Sequence, residues 1–148
     1  VRAEAAASLT EDLQGDDPGA YNPFLAWSLG FDRGLGAGLE LAAQCGGTWR
    51  LFEHGISSPY DLEAGADRAS ARLTACVSQR LARDTVEWQA KGLYDIEDGD
   101  YLLLPSLRLA IGDGAVSLEA GIFGGDEEGE LGQYADASYL RAAMSYRF

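Results

Sequence analysis

Apolar and polar side chains alternate along most of the chain, and this two-residue period restricts the fold more than any other feature of the sequence. In a β-strand, a period of two sends successive side chains to opposite faces. Within residues 101–111, for example, Leu107 and Leu109 flank Arg108. Similar segments recur about eight times, although the first, residues 1–13, is rich enough in alanine to suit a helix as well. The pattern predicts an all-β protein.

Turn-forming residues between these segments predict antiparallel hairpins and their register. The predicted short turns lie at residues 32–34, 83–84, 98–99 and 113–114. Each turn places apolar side chains opposite apolar ones and polar opposite polar. The resulting cross-strand pairs are Arg80–Glu87, Arg72–Asp95, Arg108–Glu119, Trp88–Leu109 and Leu29–Ala37.

The connections alternate in length: the short turns at residues 32–34, 83–84 and 113–114 lie at one end of the strands, and the long loops lie at the other, together with the connection at residues 97–100. The long connections lie near residues 11–22, 45–67 and 124–137, and most of the 24 acidic residues fall at this end. Short turns opposite long loops are typical of outer-membrane barrels. These features predict an antiparallel up-and-down transmembrane β-barrel of about eight strands, with residues 1–148 in one domain.

The polar side chains of the strands form one row, which a membrane barrel turns inward. With Arg2 and Arg147, basic residues on this row outnumber acidic ones by seven to four, although the formal net charge of the chain is −13. A solvated surface should share the acidity of the whole chain. The excess of basic residues therefore suggests a network of paired charges enclosed inside the barrel. The charged residues predicted to line the interior are Glu4, Glu40, Arg72, Arg80, Glu87, Lys91, Arg108, Glu119 and Arg141.

The opposite, apolar row carries almost no charge and places aromatic rings near the strand ends, as the girdles at membrane interfaces do. The residues predicted to lie at the lipid interface are Phe31, Trp88, Tyr94, Tyr101, Tyr146 and Phe148. A soluble barrel offers an alternative interpretation. It would turn the apolar row inward and bind a small apolar ligand there.

The chain ends in LRAAMSYRF, with Phe148 terminal and apolar residues at alternate positions before it. This ending resembles the C-terminal insertion signal of bacterial outer-membrane barrels. The stretch from Tyr101 to Phe148, about a third of the chain, resembles the closing strands of porin-like proteins from Gram-negative bacteria. The resemblance implies a location in the outer membrane, contact with its lipid, and recognition of the last strand by the barrel-assembly machinery. It implies a passive pore or a membrane-anchored scaffold.

The sequence leaves the width of the barrel open, since these strands form either a complete barrel or the C-terminal part of a larger one, with other chains able to complete it. An eight-stranded barrel is just wide enough for side chains to fill, so cross-strand ion pairs would plug it. In a wider barrel the same arginines would line a pore and favour anions, against the acidic mouth.

No group of residues predicts catalysis, so we expect a protein that is not an enzyme. His54 is the only histidine, and no acid or oxyanion hole is fixed beside it, although a lipid-acting barrel enzyme using His54 is a further hypothesis. The acidic loops lack the spacing of a calcium-binding loop, and neither a metal nor a cofactor is expected. The strong negative charge argues against nucleic acid. Cys45 and Cys76 suit either a disulfide or two separate thiols.

Overall fold

A computed structural model describes residues 1–52, 55–56 and 59–147. They form one antiparallel sheet of eight strands. The strands are β1 (Arg2–Ser8), β2 (Phe24–Gly36), β3 (Leu39–Arg50), β4 (Ala69–Leu81), β5 (Val86–Asp95), β6 (Tyr101–Ile111), β7 (Gly114–Gly124) and β8 (Tyr139–Tyr146). A short 3-10 helix, Gly132–Ala137, precedes β8. No helix in the described part of the chain is long and apolar enough to cross a membrane.

The sheet is open. Each strand pairs with its neighbours along the chain, and within the described residues β1 and β8 do not pair with each other. The predicted all-β, up-and-down arrangement of eight strands is therefore confirmed, whereas the predicted closure is not found, because closure requires hydrogen bonds between these two edges. The edges differ in content: β1 reads RAEAAAS and β8 reads YLRAAMSY.

The hairpin of β4 and β5 has the predicted register. Arg80 lies opposite Glu87 and Arg72 opposite Asp95. Its connection is tight, because Ala82, Arg83 and Asp84 all adopt positive φ angles between 51° and 65°.

The predicted turn at residues 32–34 is wrong. β2 continues through these residues to Gly36, and the chain turns at Ala37 and Gly38, whose φ angles are 50° and 72°. Two left-handed residues form the turn that matches the twist of a hairpin. Gly38 is also required sterically, because a Cβ atom there would lie 2.6 Å from the carbonyl oxygen of Arg80. Leu29 consequently lies opposite Cys45, not Ala37.

The last two predicted registers are displaced by two residues. Trp88 lies opposite Leu107, not Leu109, because β5 ends at Asp95 and a longer loop follows. Likewise, Arg108 lies opposite Ser117, because the turn uses Gly112 and Asp113 and lets Ile111 pair with Gly114. A displacement of two keeps every side chain on its predicted face.

The two faces of the sheet differ in polarity, and the apolar side chains of one face are exposed along the strands. Leu29, Leu107 and Leu140 lie on the face that carries the apolar row, called the apolar face below, and are 52%, 38% and 77% exposed. Among the described residues, Ala115 is the only buried hydrophobic residue. The sheet therefore has no hydrophobic core of its own, and its apolar side chains need a partner outside the described chain.

Candidate functional site

The nine charged residues predicted to line the interior all lie on one side of the sheet, the polar face. Their strands hold them in continuous cross-strand rows. In one row, Glu119 lies opposite Arg141, and in the next, Glu87 has Arg80 on one side and Arg108 on the other. Because side chains alternate along each strand, the remaining members share this face: Glu4, Glu40, Arg72 and Lys91.

The polar face is concave. Cavities of about 540, 370 and 250 Å³ open on this side of the sheet. The largest runs across the strands from Glu4 in β1 to Leu104 in β6. Because a sheet surface that holds such cavities curves inward, we infer that the apolar face is the convex one.

Glu87 is shared by two arginines on the polar face. Its carboxylate oxygens lie 3.8 Å from Nε of Arg80 and 4.0 Å from Nη1 of Arg108. The predicted Arg80–Glu87 pair is thus present as a long contact. The predicted pair of Arg108 with Glu119 is wrong, because the displaced register moves Glu119 opposite Ser106. Glu119 instead accepts a hydrogen bond from the Tyr139 hydroxyl, at 3.2 Å.

Arg72 joins the sheet to the loop between β7 and β8. Its Nε lies 2.8 Å from Oδ2 of Asp95, as the register predicts, and its Nη2 bonds Glu130 of that loop. Arg72 is in β4 and the loop leaves from β7, so the loop must reach over β5 and β6 on the polar side. This contact could not be predicted from strand register, because Glu130 lies outside the strands.

Two further contacts hold the same loop against the polar side. Tyr134 packs on Phe123, a polar-face residue of β7, with ring centroids 6.1 Å apart. The carboxylate of Asp100 is fully buried, and its Oδ2 accepts a hydrogen bond from the Leu131 amide at 2.8 Å. Residues 125–138 therefore fold inward over one end of the concave face.

A second pair of loops, at residues 9–23 and 51–68, is joined by Glu63. Its Oε1 lies 2.8 Å from Nε of Arg50, at the end of β3. Its Oε2 accepts a hydrogen bond from the backbone N–H of Asn22, at 2.9 Å. Both charged side chains are largely buried, at 17% and 10% exposure. The contact was not predicted, because it joins residues of three separate segments.

Two loop aspartates have shifted pKa values. Amide donors from Asp17, Gly15 and Gln14 surround the carboxylate of Asp12 and lower its pKa. Desolvation raises the pKa of Asp98, and nearby acids, Asp95 first, raise it further. Among the described residues, no three His, Cys, Asp or Glu side chains form a group that could hold a metal ion.

The predicted interface residues that the structure describes all lie on the apolar face. They are Phe31, Trp88, Tyr94, Tyr101 and Tyr146. The Trp88 indole donates a hydrogen bond to Oε1 of Gln79, at 3.3 Å, so its ring has a polar partner near the short turns. Trp49, which was not among the predicted residues, lies on the same face at the long-loop end with the Arg68 guanidinium 5.3 Å from its ring.

Some predicted features lie elsewhere. Phe148 and His54 lie outside the described residues, so the structure does not place them. Cys45 and Cys76 are both free thiols. Cys45 is on the apolar face opposite Leu29, whereas Cys76 is on the polar face and lies opposite Lys91.

No protein-family model, no curated protein and no solved structure matches the chain.

Proposed function

We propose that this chain forms part of the wall of a bacterial outer-membrane β-barrel and that its polar face lines a passive, water-filled pore. The carrying observation is the contrast between the faces: the convex side is apolar and exposed along the strands, and the concave side holds the arginines and glutamates. Lipid outside and water inside would satisfy both. The soluble alternative is less well supported. A soluble barrel would need Leu29, Leu107 and Leu140 to enclose its interior, whereas these residues lie exposed on the convex face.

The open sheet favours a barrel of more than eight strands. In a closed barrel of eight, side chains fill the interior, whereas here Arg80 and Arg108 are 58% and 60% exposed, and Arg108 lines an open cavity. Further strands, either from another part of the polypeptide or from other chains, would pair with β1 and β8 and close the wall. A lumen of that width conducts solutes, so we propose a pore in preference to a plugged scaffold.

The ends of the strands fit the same proposal. Aromatic side chains of the apolar face, including Tyr94 and Tyr101, occupy the depth where rings prefer the membrane interface. In Gram-negative outer membranes the long loops face outward, and here they carry most of the acids. The last strand, with Phe148, would be read by the barrel-assembly machinery during insertion.

Tryptophan fluorescence tests which face meets lipid. A variant with Trp49→Phe and Trp88→Phe keeps Trp27 on the apolar face. Adding Ser28→Trp and Trp27→Phe moves the single indole to the adjacent position on the polar face. In bilayers of brominated lipid, we expect strong quenching of the first variant and little of the second. Quenching of neither, with protein that stays soluble without detergent and migrates identically with and without heating, would exclude the membrane barrel.

Conductance tests the pore. The closed barrel, with the strands that pair with β1 and β8 present, should give discrete current steps of constant size in a planar bilayer. A heat-modifiable, lipid-quenched protein that passes no current would support the scaffold in place of the pore.

A further inference from the structure

Within strands β4–β8, the five charged side chains on the polar face toward the short turns do not balance. Three are arginines, Arg80, Arg108 and Arg141, and two are glutamates, Glu87 and Glu119. The two contacts of Glu87, at 3.8 and 4.0 Å, are long beside the roughly 2.7–2.9 Å of a charge-assisted hydrogen bond. One carboxylate therefore holds two guanidiniums loosely, and the donors of both stay available.

Arg141 is the least engaged of the three. It lies directly opposite Glu119, but Glu119 is bonded to the Tyr139 hydroxyl, and within the described residues Arg141 makes no ion pair. Arg141 and Arg108 both line the cavity of about 250 Å³ on the polar face. The Gln89 amide and the hydroxyls of Ser106 and Ser117 add neutral hydrogen-bonding groups to the lining. The lining also includes Leu107, Leu118 and the carboxylates of Glu87 and Glu119, and these carboxylates offset part of the positive charge.

We propose that this cavity is a binding subsite for small oxyanions, in which the guanidinium groups of Arg108 and Arg141 bind the negatively charged oxygens. A guanidinium presents a planar fork of donors that matches the oxygens of a carboxylate or a phosphate. The hydroxyls of Ser106 and Ser117 accept or donate and suit the remaining oxygens. A volume of this size holds one small anion together with a few waters, since a water takes about 30 Å³.

The subsite gives the pore a substrate class. Resting on the proposed function, it predicts that small carboxylates or phosphate pass in preference to cations of similar size, because basic residues that line a pore favour anions. Glu87 and Glu119 keep the site weak enough to release the anion, as conduction requires. Binding itself does not depend on the pore and can be measured separately.

The test measures binding of inorganic phosphate and of acetate to the detergent-solubilised chain by titration calorimetry or NMR. We expect Arg108→Gln and Arg141→Gln each to weaken binding about tenfold. Arg147→Gln, on the same face but outside the cavity, serves as the matched control and should have no effect. Ser117→Ala removes a single hydroxyl, preserves every charge, and should weaken binding by a smaller factor.

Each outcome decides the proposal. Phosphate binding without acetate binding, lost in the two arginine variants, identifies a phosphate subsite, and the reverse identifies a carboxylate subsite. Absence of binding by the parent chain, or equal binding by all variants, overturns the subsite even if the protein conducts. Intact, arginine-dependent binding by this chain, together with a closed barrel that passes no current, retains the subsite and rejects the pore.

Discussion

Cys45 and Cys76 lie on opposite faces of the sheet, although β3 and β4 are hydrogen-bonded neighbours. A disulfide between them is therefore excluded by the direction of their side chains, and the alternative that the sequence left open is resolved in favour of two thiols.

The two thiols should differ in reactivity. With the protein in liposomes, a charged, membrane-impermeant thiol reagent is expected to modify Cys76, which lies on the concave polar face and would face water, and to spare Cys45, which would face lipid. Mass spectrometry of the Cys45→Ser and Cys76→Ser variants assigns the modified position. Labelling of Cys45 alone would place the apolar face in water and reverse the proposed orientation.

Glu130→Gln should loosen the loop at residues 125–138 on the polar face, because it removes the ion pair with Arg72 but keeps the contacts of Tyr134 and Leu131. Both charged side chains are about half exposed, so the cost to global stability should stay below about 1 kcal/mol. The loop itself should become a faster target for limited proteolysis, and single-channel conductance should rise. Glu127→Gln, an exposed acid of the same loop, is the matched control. Equal cleavage rates in both variants would contradict the inward position of the loop.

Asp98→Asn should stabilise the protein at neutral pH. The folded state raises the pKa of Asp98, so ionisation of this group opposes folding, and its cost appears as pH rises above the unfolded value of about 3.9. The gain from the variant should therefore shrink on acidification and vanish below about pH 3.9. Thermal unfolding in detergent micelles at several pH values measures this.

Asp12→Asn gives the opposite sign and is the control for Asp98. The lowered pKa of Asp12 means that its ionised form stabilises the folded state above about pH 3.9 and loses this effect as pH falls through the folded value. The variant should be less stable than the parent chain at neutral pH, and the difference should close in acid. If the two variants change stability in the same direction at neutral pH, the total charge of the loops, and not the local environment of each aspartate, determines both changes.

Gly47→Ala should disturb the pairing of β3 with β4. A Cβ atom at this position would lie 1.9 Å from the carbonyl oxygen of Ser70 and 2.9 Å from Cα of Ala71, so the backbones must separate. We expect a loss of about 1–3 kcal/mol. Gly34→Ala, with no atom within 4 Å of the added methyl group, should stay within about 0.5 kcal/mol. The stability change in each variant is measured as the shift in the temperature at which the gel band of the folded protein disappears.

The strands and their faces could be predicted from the sequence, whereas part of the register could not. Alternation fixes a face, and a displacement of two residues leaves it unchanged. Arg108 therefore kept its predicted face while its partner changed from Glu119 to Ser117. The turn was misplaced because Gly112–Asp113 and Asp113–Gly114 are both turn-forming pairs, one residue apart, and both keep the same side chains on each face. Likewise, Asp32, Arg33 and Gly34 have turn-forming chemistry, yet β2 continues through them.

The contacts between loops could not be predicted. Alternation carries no information about which loop residue returns to which strand, so nothing in the sequence joined Glu130 to Arg72 or Glu63 to Arg50. The Trp49 contact with Arg68 was missed for a related reason, because the strand that carries Trp49 was predicted to end before it.

The two edge strands differ in the size of their apolar side chains. In the proposed wall, pairing at the edge of β1 would therefore be much weaker than pairing at the edge of β8. Cross-strand side-chain contacts contribute most of what stabilises neighbouring strands beyond their hydrogen bonds. β8 can offer an incoming strand Leu140, Met144 and Tyr146, whereas the outward row of β1 offers Ala3, Ala5 and Ala7. A strand paired with β1 would be held there chiefly by backbone hydrogen bonds. Strand separation under heat or pulling force would therefore begin at the alanine-rich edge of β1.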